Sequence, residues 1–540
     1  MSSTRRPARL LVLVAGLAAG GLLAALAMAP PGLAAATART PLRSPGHIKV
    51  DALSAGARTW FSGPATGGVA PRALAAITFG SNIDANDPSQ DVAGGQSETA
   101  IAASGTRVLT AWNDISGVFF SPSTDRRASV TGVGYSGDGG ATFTDLIGLP
   151  NPKPNQQWSG DPSIVAVDAN HFIVSSLYLP SAGADCTKAP ARLQIAVSVA
   201  TVGPAGVTFG APVVVADGGD ACAATPGPTT AFLDKSFMAY DATSRVLAVS
   251  FTSFSFTGNG TGSIEIVRAS VPADPAKLRR FSFSAPVVVW PEELTVVNQG
   301  SYPAVAPNGD VFVSWERNID SALFDGDPSV SIPAAKVARG ATAPAVGGPA
   351  SPRVVSRGQV GGTAAGGVKS MGLALIPGYS RGLGNDFPRI AYDRVGKQAV
   401  VVWNDASAHP LGDIWMRALP PNLALTGPIS KVNDDASFAL HFLPAVSVRS
   451  DGSIATSWYD RRAGGPMSTL TDYAAEIRPT ATTAAADVTV STGPTDWAGT
   501  SSLINPNFGD YTDNASSGTT TYFTWSDGRI GVPQPFVDHR

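Results

Sequence analysis

One pattern recurs seven times along this chain of 540 residues: a short strand of the form Pro-x-(Ile or Val)-Ala, a turn rich in Asp, Asn and Gly, then an alternating strand that ends in an aromatic residue. The copies occupy 98–114, 161–178, 234–251, 301–316, 387–405, 442–460 and 509–527, with terminal aromatics Trp112, Tyr178, Phe251, Trp315, Trp403, Trp458 and Trp525. Intervals of 66, 73, 64, 88, 55 and 67 residues between these aromatics leave room for four strands and decorated loops in each unit. A lone four-stranded unit cannot cover both of its faces, so such units stack radially, and closing the ring leaves only short outer edges. The fold expected is all-β: a single propeller of seven four-stranded blades.

Further strands follow the aromatics, as in LQIAVSVA with APVVVA (193–216), SIEIVRAS with APVVVW (263–290) and DIWMRAL with ISKVN (413–433). The last unit runs out one strand short after PFVDHR, so RALAAITFG (72–80) is expected to supply the missing strand and lock the ring. The longest interval holds a Gly/Ala-rich insertion, about 337–368, expected to be a loop. With 58 Gly, 43 Pro and only 15% charged residues, the composition suits many short strands and tight turns. The propeller is placed at 72–540, after a flexible lead-in at 39–71.

Residues 1–38 have the form of an export signal: Arg5, Arg6 and Arg9, an apolar run from Leu10 to Ala29, then Ala34, Ala36 and Ala38 at Ala-x-Ala spacing. The expectation is a secreted, monomeric protein; the other reading is an uncleaved membrane anchor. Removing the leader takes three arginines from the 38 Lys and Arg, leaving 35 against 41 acids, so the mature net charge is −6 and nucleic acid is a poor partner. Cys186 and Cys222, the only two cysteines, are expected to pair in an exported chain. Oxygen-bearing residues between Asn82 and Asp91 have calcium-like spacing without the Gly and Glu of an EF-hand loop, so a polar turn is the competing reading. No zinc or nucleotide motif is present, and no cofactor is expected.

Ser136-Gly137-Asp138-Gly139-Gly140-Ala141-Thr142-Phe143 fits the Asp-box pattern Ser-x-Asp-x-Gly-x-Thr-(Phe or Trp), between the third and fourth strands of the first unit. There Ser136, Asp138, Gly140, Thr142 and Phe143 staple a hairpin and say nothing of catalysis. With the blocks WYDRR (458–462), GDYTDN (509–514) and WSDGR (525–529), the chain resembles the sialidase-like propellers with bacterial neuraminidase repeats, and among them exported bacterial proteins of the exo-alpha-sialidase-like kind. The resemblance implies glycan binding and exo-glycosidase chemistry in a funnel on one face. Active sialidases are six-bladed and carry an arginine block on an early innermost strand. Here seven units are present, and ETAIA, DPSIV and DKSFM carry no arginine. Seven-bladed relatives include both xyloglucan hydrolases and a protein-binding assembly factor, so the fold leaves the function open.

First-strand starts and second-strand ends share one face of a propeller. That face gathers Glu98, Asp161, Asp234, Lys235, Asp386, Arg389, His441, Asp510 and Tyr511 with Asp114, Glu316, Arg317, Asp405, Tyr459, Asp460, Arg461, Arg462, Asp527 and Arg529. If the chemistry follows the resemblance, Arg389, Arg461 and Arg529 hold a substrate carboxylate and Trp458 and Trp525 stack on sugar. Tyr511 or Tyr459 is then the nucleophile, helped by Glu316, and Asp460 or Asp114 is the acid/base. The plainer reading of each Asp after a strand-ending Trp is a turn cap repeated with the repeat. Two functions follow: an exported propeller that binds and hydrolyses glycans, or a non-catalytic one that binds a protein or cell-envelope partner.

Overall fold

The computed structural model describes residues 82–540 apart from 182–191, 223–229, 279, 318–328, 342–352, 357–367, 370–375, 382–383, 407, 409–410, 426 and 466. Seven antiparallel sheets of four or more strands make seven blades, their strands following chain order outwards except that the outermost strand of the seventh comes from the N-terminal segment. Their innermost strands are Gln96–Ser104, Ser163–Ala166, Ala231–Asp241, Asn298–Val305, Arg389–Asp393, His441–Val448 and Asp513–Ser517. The second strands are Arg107–Asp114, His171–Leu179, Val246–Ser255, Val311–Arg317, Gln398–Asp405, Ile454–Asp460 and Thr520–Asp527. Apolar residues alternate along both sets, and Trp112, Trp315, Trp403, Trp458 and Trp525 are packed between blades at 1% exposure or less.

The ring closes through the N-terminal segment. Positions 72–80 lie outside the described residues; the strand that completes the seventh blade is Ile83–Asp84, with Ile83 opposite Val537 and Asp84 opposite Phe536 on Gln534–His539. Polar side chains pin it. Asn82 Nδ2 donates to Asp538 Oδ2 and to the Val490 carbonyl at 2.9 Å each, and Asn86 Nδ2 donates to Gln534 Oε1 at 2.6 Å. The segment considered for calcium is this closing seam: Asp91 Oδ2 accepts from Asn86, Gln96 and Gln534 side-chain amides at 2.8, 3.0 and 3.3 Å. Among the described residues no group of three or more His, Cys, Asp or Glu is arranged to hold a metal ion.

The Gly/Ala-rich insertion is not all loop. Arg353–Ser356 pairs with Ile332–Val337 as the outermost strand of the fourth blade, and Val368–Lys369 pairs with Ser329–Val330. The β-branched pair Val354–Val355 inside that stretch gives it strand character the surrounding glycines and alanines lack. At 136–143, Asp138 accepts from the Thr142 amide at 3.0 Å and hydroxyl at 2.6 Å and from Ser136 Oγ at 2.7 Å, so the turn is stapled from within. Cys186, the leader and the 39–71 lead-in lie outside the described residues, and no described helix is long and apolar enough to cross a membrane.

The seam collects carboxyls. Asp91, Asp114 and Asp145 are pushed up to about 9, 7 and 6, in each case chiefly by burial and further by nearby charge: that of Asp114 and Asp145 on Asp91, of Asp145 on Asp114 and of Asp87 on Asp145. A carboxyl whose folded pKa exceeds its unfolded value, near 4, contributes fully to stability only below that value and loses the contribution as pH rises through the folded pKa. Heat stability is therefore expected to fall steadily between pH 5 and 9, and Asp91→Asn to flatten the fall. Calorimetric melting temperatures across that range check it; a flat profile in the unsubstituted protein would contradict it.

Candidate functional site

Strand alternation sorts the end of each second strand into two sets, because side chains at i and i+2 share a face. Trp403 and Asp405, Trp458 and Asp460, and Trp525 and Asp527 point the same way, and each indole N–H donates to the carboxylate two residues on, at 2.8, 3.1 and 2.8 Å. A buried indole needs such an acceptor. Asp460 also takes Arg462 at 2.7 Å. The Trp-x-Asp repeat is thus an internal cap, with Trp458 and Trp525 at 0% and 1% exposure rather than facing a ligand. Asp114 lies in the closing seam, accepting from the Ser116 amide at 2.9 Å and Gln96 at 3.1 Å.

The residue between Trp and Asp faces the other way and clasps the next blade. Asn113 donates to Glu98 at 2.7 Å and accepts from the Asp161 amide at 2.6 Å. Glu316 accepts from the Asp386 amide at 2.8 Å, and Asn404 donates to Asp386 at 2.9 Å and accepts from the Leu443 amide at 3.2 Å. Tyr459 hydroxyl bonds the Ser526 backbone, and Ser526 Oγ bonds the Gln96 carbonyl at 2.6 Å. Side-chain alternation carried this signal in the sequence; attention to the Asp of the motif passed over its neighbour.

These clasps hold strained positions on the innermost strands. Glu98, Asp161, Lys235 and Leu443 have φ of 53°, 56°, 52° and 53°, and Gly300 has 68° at the matching place. Register slips at this point in the first, third, fourth and sixth blades, as a bulge requires. Bulges re-aim side chains, and left-handed non-glycine residues persist only where the surroundings impose them. Glycine is needed where the ring packs closest: a Cβ on Gly300 would stand 2.2 Å from the Phe387 ring, and one on Gly509 2.5 Å from Glu98.

The outcome is a buried polar ring at the top of the channel. Lys235 Nζ donates to Asp510 Oδ2 at 2.8 Å, both side chains being fully buried. Asp510 also accepts from Tyr379 hydroxyl at 2.9 Å and pairs with Arg381. Burial works to lower the Lys235 pKa, but Asp510, Glu98, Asp234 and Asp161 together hold it above its usual value. Asp161 is 1% exposed and neither of its oxygens has a hydrogen-bond donor. Burial first, then the charges of Glu98 and Asp234, raise its pKa well above the ordinary carboxyl range. Glu316 is raised likewise, by burial and then by Asp386.

A strap covers this ring. Before the fifth blade, Tyr379 stacks on Phe508 at 4.3 Å, Asn507 donates to the Gly378 carbonyl at 2.8 Å, and Asn385 donates to the Asp510 carbonyl at 3.2 Å. Arg381 thereby reaches the channel acids from the strap side.

Of the three arginines expected to converge, Arg389 stands in the channel, with its guanidinium 4.3, 4.6 and 5.1 Å from the rings of Phe237, Tyr302 and Tyr511. Arg461 is committed to Thr471 Oγ1 and the Ser468 carbonyl at 2.9 Å each, within its own blade. Arg529 is committed to Asp527, to Thr492 at 2.9 Å and to the Phe536 ring. Short local partners on each strand end hold these two. Tyr511 is 3% exposed, and burial, Glu98 and Asp161 raise its pKa well above 10, so it is held as a phenol rather than a nucleophilic phenolate. The acids acting on it are Glu98, Asp161 and Asp234, on the first three blades.

No family model matches this chain, and no curated protein matches it. Among solved structures it is similar to an α-L-arabinanase of Penicillium chrysogenum, at 13% identity over 72% of this chain and 95% of that one, TM-score 0.44. It is also similar to an α-L-arabinofuranosidase of Fusarium graminearum, at 11% identity over 82% and 92%, TM-score 0.39. A sialidase of Trypanosoma rangeli matches at 10% identity over 72% and 55%, TM-score 0.38. Values this low leave the architecture to rest on the strand pairings themselves.

Proposed function

We propose that this is an exported glycan-acting propeller whose ligand is a neutral sugar, cleaved at the top of the channel with Asp161 as proton donor and Glu98 as the paired carboxylate. The observation that supports it most is Asp161 itself: a carboxyl with no hydrogen-bond donor, kept protonated by burial and by neighbouring acids. Glycoside cleavage needs a carboxylic acid still protonated at neutral pH beside a second carboxyl group. Glu98 is fixed for the second role by Asn113 and by the Asp510 amide at 3.2 Å. A ring of Glu98, Asp161, Asp234, Glu316, Asp386 and Asp510 around Lys235 and Arg381 repels a sugar acid, and Arg389 alone is no three-arginine clamp. Substrate entry requires the strap bearing Arg381 to swing away.

The test is a panel of fluorogenic glycosides presented to the purified protein: arabinofuranoside, xyloside, glucoside, galactoside and sialoside. Turnover of a neutral glycoside without turnover of the sialoside is expected; the reverse would overturn the proposal. A second reading is a non-catalytic propeller, favoured by the complete burial of Glu98 and Glu316 beneath the strap. Thermal stabilisation by a glycan without any turnover selects it.

A further inference from the structure

The connector from the fifth blade to the sixth ends on a buried histidine. It runs from the outermost strand Ile429–Lys431 to the innermost strand His441–Val448, whose first residue stands opposite Asp460 in register. The His441 side chain has no solvent access, and three elements close on its ring. Gly412, just ahead of the third strand of the fifth blade, Asp413–Leu419, brings its carbonyl to 3.2 Å from Nδ1. Asp435 Oδ1, from the connector, stands 3.2 Å from Nε2, and Asp460 Oδ2, from the second strand of the sixth blade, stands 3.6 Å from it.

These partners dictate where protons sit. A carbonyl can only accept, so Nδ1 carries a hydrogen. In the neutral ring Nε2 would then turn a lone pair on two carboxylates; in the imidazolium it turns an N–H on them instead. Burial opposes the charge, but Asp435, Asp460 and the Gly412 carbonyl together outweigh it and raise the His441 pKa above its usual value. The other cations nearby are engaged elsewhere. Arg462 pairs with Asp460 at 2.7 Å, Asp487 at 2.5 Å and Asp434 at 2.9 Å, and stays 3.7 Å from Asp435. Lys431 donates to the Asp435 carbonyl at 2.6 Å and reaches Asp413 at 3.4 Å. The remaining partners of the Asp435 carboxylate, Asn433 and Ser437, belong to the connector itself, and Asn433 ties that segment to Asp413 of the fifth blade at 2.8 Å. His441 is thus the cation nearest to Asp435, on the side of the sixth blade.

We propose that His441 is a pH-sensitive clip: as an imidazolium it holds the 433–440 connector against the sixth blade, and on losing its proton it lets the connector lift from the top face. A histidine whose folded pKa is raised contributes fully to stability below its unfolded value, near 6.5, and loses that contribution as pH rises through the folded value. The clip therefore closes in acid and opens in alkali. Leu443, two residues on, is the left-handed residue clasped by Asn404, so clip and clasp act on one stretch of innermost strand. None of this depends on the catalytic reading of the channel.

Hydrogen–deuterium exchange of the full chain between pH 6 and 9, corrected for the intrinsic pH dependence of exchange, tests it together with NMR of the protein labelled at histidine. Peptides covering 433–442 are expected to exchange about tenfold faster at pH 9 than at pH 6, the factor that one unit of pKa shift supplies. Peptides covering 192–203, in the second blade, are expected to change little. His441→Gln should abolish the step, and it identifies the His441 signal among the five histidines of the chain. Asp435→Asn, at a side chain 12% exposed, removes the nearest acid without touching the core; it should lower the His441 midpoint by about one unit or more and carry the exchange step down with it. A His441 signal that titrates at or below pH 6.5, connector exchange without a pH step, or a midpoint unmoved by Asp435→Asn would overturn the clip.

Discussion

Replacing Asp510 with alanine is expected to lower stability by about 3 kcal/mol or more, because two cations on one buried carboxylate lose it together. Lys235 and Asp510 have no solvent access, and Arg381 keeps only 7% of its side-chain surface exposed. Breaking a buried pair by removing one partner typically costs about 3–5 kcal/mol. Glu98, Asp234 and Asp161 remain near Lys235 and offset part of the loss, which sets the expectation at the lower end. The strap loses the Tyr379 and Arg381 contacts to the Asp510 carboxylate at the same time, keeping only the Asn385 bond to the Asp510 carbonyl, so protease cutting in the strap is expected to quicken. Lys235→Met alone is expected to be milder than Asp510→Ala, since Asp510 keeps Arg381 as its partner whereas the loss of Asp510 strands both cations. Urea unfolding of the set decides it. A loss under about 1 kcal/mol for Asp510→Ala would show that the ring of acids, not this ion pair, holds Lys235 in place.

The blade count was legible because a strand-ending aromatic is a large buried group that must recur wherever the same packing recurs, and seven of them stood in the chain. Strand limits such as Ser263–Ser270 and Asp413–Leu419 followed from alternation alone. The closing strand Ile83–Asp84 did not stand out in the sequence for a physical reason: it is two residues long and is pinned by the Asn82 side chain, which hydropathy does not weigh. The polar residues at strand starts and ends could be listed from the repeat, but their division was not readable without the bulges. Asp460 and Asp527 turn inward to their own tryptophans, while Glu98, Asp161 and Lys235 are re-aimed into the channel by backbone with φ above +50°. No residue-by-residue alternation predicts that, since a bulge inserts one residue and reverses the pattern after it. The strap was invisible for a related reason, its partners Phe508 and Asp510 lying some 130 residues away in sequence.

Asp161→Asn separates the catalytic reading from a structural one, because the two predict opposite effects on the same protein. If Asp161 is the proton donor, turnover falls by about 10² to 10⁴. Stability, by contrast, is expected to rise. The Asp161 pKa in the folded protein lies well above its unfolded value, so the group contributes fully only below about pH 4 and that contribution is lost as pH rises through the folded pKa. An amide has no such loss, and its N–H remains a donor towards Glu98 at every pH, whereas the carboxyl must take up a proton to be one. Asparagine also tolerates the left-handed φ of 56° at this position, so no strain is added. The gain should therefore be absent near pH 4 and grow towards pH 8, reaching about 1–2 kcal/mol. Melting temperatures across that range read the sign directly. A carboxyl kept at a stability cost at a left-handed backbone position is what a working group looks like. An Asp161→Asn variant that melts lower at pH 8 would instead make Asp161 a structural link between the first three blades, and the proton donor would have to be sought at Glu316, another acid of the channel ring whose pKa is raised.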